Sequence, residues 1–402
     1  MIMKLGKSAL IAKRDLKSAY RILPLAVSDF PLFGLKVGDC FYVDKFLPMG
    51  LSQSANLFEK FSTFLNWLVC ATTRIDTVDH MLDDFIFAGS KGSNDCHTLV
   101  SAFTGLCNTL GVPIADDKSV GPTTIMLFLG LEIDTNEMLV RIPIHKVDEL
   151  VGLHKGIMNR KKVSLKELQR LVGKLNSFGQ AIRSSRAFTR RFYDAMSGLR
   201  KQFYLLRVTE EIREDVKVWL SFLQEFNGVS YIPENFWYTS DQLQLFSDSA
   251  GSADMEAACY FEGRWSLFPW PESLKFGGVL KDLTFLEMVP VILAMFLWGR
   301  DLMNKNITLR IDNEALVLVL NKQTSKSKRV MQLVRPFVTL AMRYNIWFKA
   351  VHISSKNNAI ADAISRQQWS RFRQLVSEAE NYPEMVPQQF LSLVSEMKLT
   401  DC

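Results

Sequence analysis

Two adjacent aspartates, Asp83 and Asp84, interrupt an otherwise apolar segment and constrain the fold more than any other feature. The segment, residues 80–87, predicts a buried hairpin. Neighbouring carboxylates in such a setting repel each other and resist desolvation unless cations neutralise them. A divalent metal is suited to this task, because carboxylate and water ligands are those that Mg²⁺ prefers. The alternative interpretation is an ordinary solvated turn.

A further acid and a turn followed by a helix precede this pair. Asp15 lies in the segment Ala12-Lys13-Arg14-Asp15-Leu16-Lys17-Ser18-Ala19-Tyr20. The segment Leu47-Pro48-Met49-Gly50 predicts a turn, and the small polar residues after it open a helix whose apolar side includes Phe58, Phe61 and Leu65. A turn of this kind can lie beside a nucleotide.

These three stretches, in this order, resemble the palm of reverse transcriptases. They match its Asp followed by an aromatic five residues later, its Leu-Pro-x-Gly turn and its x-x-Asp-Asp hairpin. The resemblance implies that Asp15 and Asp83 are metal ligands and that Asp84 is the supporting carboxylate. Two Mg²⁺ ions, or Mn²⁺ ions, roughly 3.5–4 Å apart would clamp the attacking and leaving oxygens of a phosphoryl transfer.

The same resemblance implies a set of substrate contacts. Tyr20 would be the aromatic gate that excludes a ribose 2′-hydroxyl and thereby selects deoxynucleotides. Met49 and Gln53 would lie near the incoming nucleotide or the primer strand. The loop with Lys118 and the segment 128–133 resemble the family's lysine-bearing loop and primer-grip hairpin.

Two positions depart from the family's commonest pattern. Met81 stands where a Tyr usually precedes the Asp pair, and Ala55 stands where a Pro usually follows the turn. Neither departure removes a metal ligand. We expect them to affect efficiency and fidelity more than the type of reaction.

The second half of the chain carries four acids at predicted strand ends and helix starts. They are Asp248 near the end of an alternating strand, Glu287 at the start of an apolar helix running towards Trp298, Asp312 after a second alternating strand, and Asp362 in the segment 359–366. Any one of them alone can be a turn or capping residue. The order Asp, Glu, Asp, Asp resembles ribonuclease H.

This second resemblance implies that Asp248, Glu287, Asp312 and Asp362 hold two Mg²⁺ ions that activate a water against an RNA phosphodiester. His352 would assist protonation or product release, and the alternative is a histidine packed at a strand end. Residues 283–366 are most similar to the ribonuclease H of DIRS-type retroelements, with gypsy-type elements as near neighbours. Together the two resemblances cover roughly residues 5–370.

Basic residues concentrate between the two acidic regions and predict a surface that follows phosphates. They are Lys155, Arg160, Lys161, Lys162, Lys166, Arg170, Lys174, Arg183, Arg186, Arg190, Arg191, Arg200 and Lys201. Ser164 and Glu167 form a capping-box pattern ahead of apolar residues at helical spacing. This helix would resemble the thumb of a polymerase and expose nucleic-acid-binding side chains: Lys162, Lys166, Arg170 and Lys174. The alternative is an ordinary solvated basic face.

The expected fold class is α+β and α/β multidomain. We expect a reverse transcriptase palm, an antiparallel sheet with helices, over 1–140 and a basic helical thumb over 141–202. An aromatic-rich connection over 203–238 leads to a ribonuclease H-like mixed α/β domain over 239–368. A helical tail follows over 369–402.

Composition limits the other possibilities. The chain has 402 residues, of which 48% are hydrophobic, and this is enough for two or three packed domains. Its net charge is only +6, so the distribution of charge matters more than the sum. The six cysteines have no paired spacing, which argues against a zinc knuckle or a disulfide framework. No apolar run reaches the ~20 residues needed to cross a bilayer. We expect an intracellular protein, cytoplasmic or nuclear, with no membrane partner.

The predicted activity is that of an RNA-directed DNA polymerase with ribonuclease H activity, from a retrotransposon. Its partners would be an RNA template, a DNA primer, an RNA–DNA hybrid and deoxynucleoside triphosphates. Only fourteen residues precede Asp15, so we expect the polymerase fingers to be missing and the chain to be part of a longer polyprotein. Two alternatives remain: only the ribonuclease H half is active, or the chain is an inert relict that binds nucleic acid. The sequence leaves the oligomeric state open.

Overall fold

The computed structural model of the chain describes residues 1–179, 181–182, 187–233, 236–252, 255–275 and 279–397. The chain divides into two compact units, Met1–Arg141 and Ile142–Cys402. Both units combine antiparallel sheets with helices, and the second also has parallel strands, so the predicted fold class is confirmed. No helix in the described part of the chain combines the length and apolarity needed to cross a membrane.

Unit 1 is built on a sheet with the strand order β4-β5-β1-β6, in which every neighbouring pair is antiparallel. Its elements are α1 (Ile2–Leu5), β1 (Leu10–Asp15), β2 (Gly34–Val37), β3 (Cys40–Val43), α2 (Ser54–Thr73), β4 (Val78–Met81), β5 (Asp84–Gly89), α3 (Asp95–Leu110), β6 (Val120–Thr123), β7 (Ile125–Phe128), β8 (Leu131–Asp134) and β9 (Leu139–Arg141).

Helices α2 and α3 cover one face of this sheet. Phe58 from α2 and Phe103 from α3 meet Phe85 and Phe87 of β5 in one buried cluster. The rings of Phe85 and Phe103 lie 4.7 Å apart, centre to centre. Because alternate residues of β5 point to opposite faces, Ile86 packs into a smaller cluster on the other side. The core therefore fixes the strands that carry the acidic residues.

Unit 2 begins with helices and continues into strands. Its elements are α4 (Ile144–Met158), β10 (Lys162–Ser164), α5 (Leu165–Phe178), α6 (Arg190–Met196), β11 (Leu205–Arg207), α7 (Glu210–Glu225), β12 (Val229–Tyr231), β13 (Trp237–Thr239), α8 (Ser240–Leu243), β14 (Leu245–Ser249), β15 (Glu256–Phe261), β16 (Arg264–Pro269), α9 (Glu272–Lys275), α10 (Leu283–Trp298), β17 (Asn306–Ile311), α11 (Glu314–Lys322), α12 (Lys328–Arg343), β18 (Trp347–His352), α13 (Ala359–Ser365), α14 (Trp369–Leu375) and α15 (Gln388–Ser395).

The predicted capping box starts α5. The Ser164 hydroxyl accepts a hydrogen bond from the Glu167 amide, and the Glu167 carboxylate accepts one from the Ser164 amide. The apolar residues at helical spacing are buried against α4. Strand β10 pairs with β11, so residues on both sides of the predicted boundary at 202–203 share one ribbon. Helix α7, within the predicted connection, packs on α4 as well.

Unit 2 contains two three-stranded sheets. One is antiparallel with the order β14-β15-β16, and the other is parallel with the order β13-β17-β18. The buried hydroxyl of Ser240 donates to the carbonyl of Thr308 and accepts from the amide of Arg310. Helix α10 packs on β14 and β15, and α13 packs on the same two strands. The strands and helices that carry the second set of acids are thereby brought together.

Candidate active sites

The aspartate pair lies at a hairpin in unit 1. Strand β4 pairs with β5 in antiparallel register with Met81 opposite Asp84, so Leu82 and Asp83 form the tight turn. Leu82 adopts the left-handed conformation with φ 53°, which is costly for a residue with a branched side chain. Its amide donates to a carboxylate oxygen of Glu59 on α2 at 3.2 Å. The structure thus supports the hairpin interpretation over the solvated turn.

Strand β1 brings Asp15 to the same end of the sheet. Asp15 pairs with Asp84 across the ladder, and the Leu16 amide donates to the carbonyl of Asp83. Asp15 is buried, with 4% of its surface exposed. Burial raises the pKa of its carboxyl above the ordinary value; Lys118 opposes the rise, whereas Asp83 and Asp84 add to it.

Two lysines neutralise part of this acidic group. Lys13 Nζ lies 2.7 Å from Asp84 Oδ1 and 4.0 Å from Asp15 Oδ2. Lys118 Nζ lies 3.3 Å from Asp15 Oδ1, and this contact raises the pKa of Lys118. Asp15 and Asp84 therefore have ammonium partners, which a divalent cation would have to displace or share.

The predicted substrate contacts of unit 1 have different surroundings. Tyr20 is half-buried and contacts the Phe58 ring edge-on, with ring centres 5.4 Å apart. Met49 and Gln53 are exposed, and Gln53 immediately precedes α2. The segment 128–133 forms the β7–β8 hairpin, with Phe128 opposite Leu131.

In unit 2, three of the predicted acids converge. Carboxylate oxygens of Asp248, Glu287 and Asp312 all lie within 4.8 Å of one another. Asp248 is on β14, Glu287 is in the second turn of α10, and Asp312 directly follows β17. The group is assembled from three elements that are far apart in sequence, and packing of α10 on β14 closes it.

Hydroxyl groups orient two of these carboxylates. The Ser365 hydroxyl, fully buried on α13, donates to Asp248 Oδ2 at 2.6 Å. The Ser249 hydroxyl donates to Glu287 Oε1 at 3.0 Å. Neither serine was among the sequence candidates. The signal in the sequence was weak, because it is only that Ser249 follows Asp248 and that Ser365 lies one helical turn after Asp362.

The electrostatics of this group reflect burial and mutual repulsion. Burial raises the pKa of Asp248 to about 7; the Ser365 hydroxyl opposes the rise, and the carboxylates of Asp312 and Asp362 add to it. Burial also raises the pKa of Glu287 well above its ordinary value, with Asp248 and Asp312 as further causes. No basic side chain forms an ion pair with Asp248, Glu287 or Asp312 within the described residues.

This donor set fits a hard divalent cation. Mg²⁺ and Mn²⁺ bind carboxylate oxygens, and three carboxylates lie close together here. Within the described residues, no ammonium or guanidinium group forms an ion pair with them. A bound cation would favour the charged forms that burial otherwise penalises. The three residues that would hold it are Asp248, Glu287 and Asp312.

The structure separates Asp362 and His352 from this group. Asp362 on α13 forms ion pairs with Arg366 and Arg371, with N–O distances of 2.6 Å and 2.7 Å. It remains close enough to influence Asp248 electrostatically. His352 ends β18 opposite Ile311, one residue before Asp312. His352 is exposed, so the alternative of a packed histidine is wrong.

The basic face of α5 differs from the expectation. Arg170 and Lys174 both form ion pairs with Glu149 of α4, whereas Lys162 and Lys166 are exposed and form none within the described residues. The acid was missed because it lies 21 and 25 residues away in sequence. Two of the four predicted nucleic-acid-binding side chains thus share one acidic partner. Arg183 and Arg186 lie outside the described residues.

Comparison with known proteins gives one curated relative. The chain is 28% identical over 163 residues to "Protein P" of Heron hepatitis B virus. The matched region covers 40% of this chain but only 20% of that protein. No family model matches the chain.

Solved structures give a weaker likeness. The foamy viral protease-reverse transcriptase dRH in complex with double-stranded DNA aligns with a TM-score of 0.44 and 15% identity, covering 86% of this chain and 57% of that one. The foamy viral protease-reverse transcriptase in complex with RNA/DNA hybrid aligns with a TM-score of 0.44 and 16% identity, covering 96% of this chain and 47% of that one.

Proposed function

We propose that this chain is the reverse transcriptase and ribonuclease H region of a retroelement, with one phosphoryl-transfer site in each unit. The observation that carries the proposal is the convergence of Asp248, Glu287 and Asp312, which sequence motifs had singled out as the acids of a ribonuclease H. The position of Asp15, Asp83 and Asp84 at the same end of one sheet supports the polymerase part.

In the ribonuclease H site, Asp248, Glu287 and Asp312 hold divalent cations, and Asp362 contributes from α13. Two Mg²⁺ ions bound by these carboxylates would supply an activated water and would stabilise the charge that develops on the phosphodiester. Ser365 and Ser249 keep two of the carboxylates in orientation. The scissile strand is the RNA of an RNA–DNA hybrid, and His352 assists protonation or product release from its exposed position.

In the polymerase site, Asp15 and Asp83 bind the cations and Asp84 supports them. Lys118 is placed to contact either Asp15 or the phosphates of a deoxynucleoside triphosphate, since its ammonium is partly exposed. Tyr20 selects deoxynucleotides, and Met49 and Gln53 face the nucleotide or the primer.

The domain ranges follow the sequence motifs: palm over 1–140, thumb over 141–202, connection over 203–238, ribonuclease H over 239–368 and tail over 369–402. The motif set between Leu283 and Arg366 favours an element of DIRS type, with gypsy-type elements as the neighbouring class. An RNA template, a DNA primer and their hybrid are the proposed partners.

A second candidate is that only the ribonuclease H site is active. It is favoured by the contrast between the two acidic groups. Lys13 and Lys118 form ion pairs with Asp84 and Asp15, whereas Asp248, Glu287 and Asp312 have no basic partner within the described residues.

The test measures two activities of the intact chain in Mg²⁺: cleavage of the RNA strand of an RNA–DNA hybrid, and primer extension on an RNA template. Asp312→Asn should abolish cleavage while leaving extension, and Asp83→Asn should do the reverse. Glu314→Gln and Asp79→Asn are matched controls. Both are exposed acids that are close in sequence to the substituted aspartates but lie outside the two acidic groups.

Cleavage without extension by the intact chain would support the second candidate. Absence of both activities in a folded protein that still binds hybrid would contradict the proposal and favour the relict.

A further inference from the structure

The ribbon formed by β10 and β11 carries cations with no acidic partner. Lys162 lies directly opposite Arg207 in the antiparallel register. Both are exposed, as is Lys161, and none of the three forms an ion pair within the described residues. Like charges directly opposite each other destabilise a strand pair. Binding of an external polyanion would relieve the repulsion between Lys162 and Arg207, so this pair is suited to binding one.

An open cleft of about 700 Å³ lies at the end of this ribbon where Lys162 faces Arg207. Lys161, Lys162 and Arg207 line it together with Arg213 and one acid, Glu210. The acid is already engaged, because Glu210 pairs with Arg213 at 3.9 Å and with Lys217 at 3.6 Å. The remaining charge in the cleft is strongly positive.

Exposed aromatic rings lie at the other end of the ribbon, beyond the Ser164–Leu205 pair. Phe203 and Tyr204 precede β11 and are 72% and 40% exposed. Lys201 Nζ lies 5.9 Å from the centre of the Phe203 ring. The backbone beneath these rings is anchored, because the Leu165 amide donates to the Tyr204 carbonyl at 2.8 Å and the Lys166 amide to the Gln202 carbonyl at 3.1 Å. Rings on a fixed backbone are suited to stacking with an unpaired base.

We propose that this ribbon surface, defined by Lys161, Lys162, Lys201, Phe203 and Arg207, binds a single-stranded segment of nucleic acid. The cations contact successive phosphates, and the Phe203 ring stacks on a base, the combination by which proteins hold single strands. The inference rests on the proposed function and deepens it by naming the surface that holds an unpaired part of the template.

The experiment measures binding of a labelled single-stranded RNA of twenty nucleotides to the full chain by fluorescence anisotropy at several salt concentrations. Lys162→Gln/Arg207→Gln should weaken binding at least tenfold and reduce the slope of log affinity against log salt by roughly 1.4, about 0.7 for each lost phosphate contact. Phe203→Leu should weaken binding roughly tenfold with the salt slope unchanged. Lys162→Arg/Arg207→Lys, which keeps both charges, should bind like the unaltered chain.

Lys275→Gln/Arg343→Gln is the matched control, because it also removes two cations, but each of them has its own acidic partner, Glu272 or Glu225, and neither lies on the ribbon. Equal losses in the control and ribbon variants would overturn the proposal. It would also be overturned if the Phe203 and ribbon variants lost affinity for a blunt RNA–DNA hybrid as strongly as for the single strand.

Binding requires neither activity, so the two proposals can fail separately. Ribbon-dependent binding by a chain that neither cleaves nor extends would contradict the proposed function alone. Both activities in a chain whose ribbon variants bind normally would contradict this inference alone.

Discussion

The Ser365 hydroxyl is the contact that fixes the direction of the Asp248 carboxylate. It is fully buried and donates at 2.6 Å. Ser365→Ala should lower the rate of hybrid cleavage by roughly 10–100-fold and raise the Mg²⁺ concentration needed for half-maximal rate, since loss of such supporting hydrogen bonds commonly has that effect on metal sites. Ser395→Ala, at a partly exposed serine on α15, is the control. An unchanged Mg²⁺ requirement would show that Ser365 has no positioning role.

His154 gives unit 2 a dependence on pH. It is fully buried on α4, and burial lowers its pKa to about 4. Between the unfolded pKa of about 6.5 and the folded value, the unfolded chain binds more protons. The contribution to stability is therefore fully present above pH ~6.5 and is lost as pH falls towards 4, by up to roughly 3 kcal/mol.

This loss can be measured as the free energy of unfolding at pH 7 and pH 4.5. In His154→Leu, most of the difference between the two unfolding free energies should disappear. In His145→Gln the difference should remain, because His145 is an exposed histidine on the same helix. Equal pH dependence in the two variants would contradict the assignment.

At the scale of elements, a buried ion pair joins α7 to α12. Arg335 donates to Asp215, which is completely buried, and Arg191 approaches the same carboxylate at 3.5 Å. Burial raises the pKa of Asp215 to about 6, and the two arginines oppose that rise.

Asp215→Leu or Arg335→Leu alone should cost up to about 3–5 kcal/mol of unfolding free energy, because each removes one side of a buried ion pair. The cost is moderated because Arg191 still faces Asp215 and Glu214 still faces Arg335. The double variant should cost clearly less than the sum of the two single changes. Chemical denaturation of the four proteins measures this coupling. Simple additivity would contradict a direct ionic contact.

Elements whose signals are local were predictable from the sequence. The capping box of Ser164 and Glu167 was visible because its partners are three residues apart, and the hairpin at Asp83 because apolar residues flank it. Contacts such as Glu149 with Arg170 were not predictable, because no local pattern selects one acid over another at long range. The same reason hid the contact of Lys13 on β1 with Asp84 on β5, because β2, β3, α2 and β4 separate these strands in the chain.

At the scale of the whole molecule, each of the two units brings together acids that the sequence motifs identified. The order of the acids could be predicted, but their convergence depends on sheet register and helix packing. The ion pairs of Asp362 with Arg366 and Arg371 could likewise not be read from the order of the acids. The ribbon surface could not be predicted from the sequence, because it depends on the pairing of β10 with β11, which places Lys162 opposite Arg207.

The most direct test of the account is thermal unfolding of the intact chain as Mg²⁺ is added. Because Asp248, Glu287 and Asp312 repel one another when charged, a cation that binds only the folded state should raise the unfolding temperature as its concentration increases. We predict a rise of several degrees that Glu314→Gln retains and Asp312→Asn largely loses. The same rise in Asp312→Asn as in the intact chain would contradict the claim that these carboxylates form a divalent-cation site.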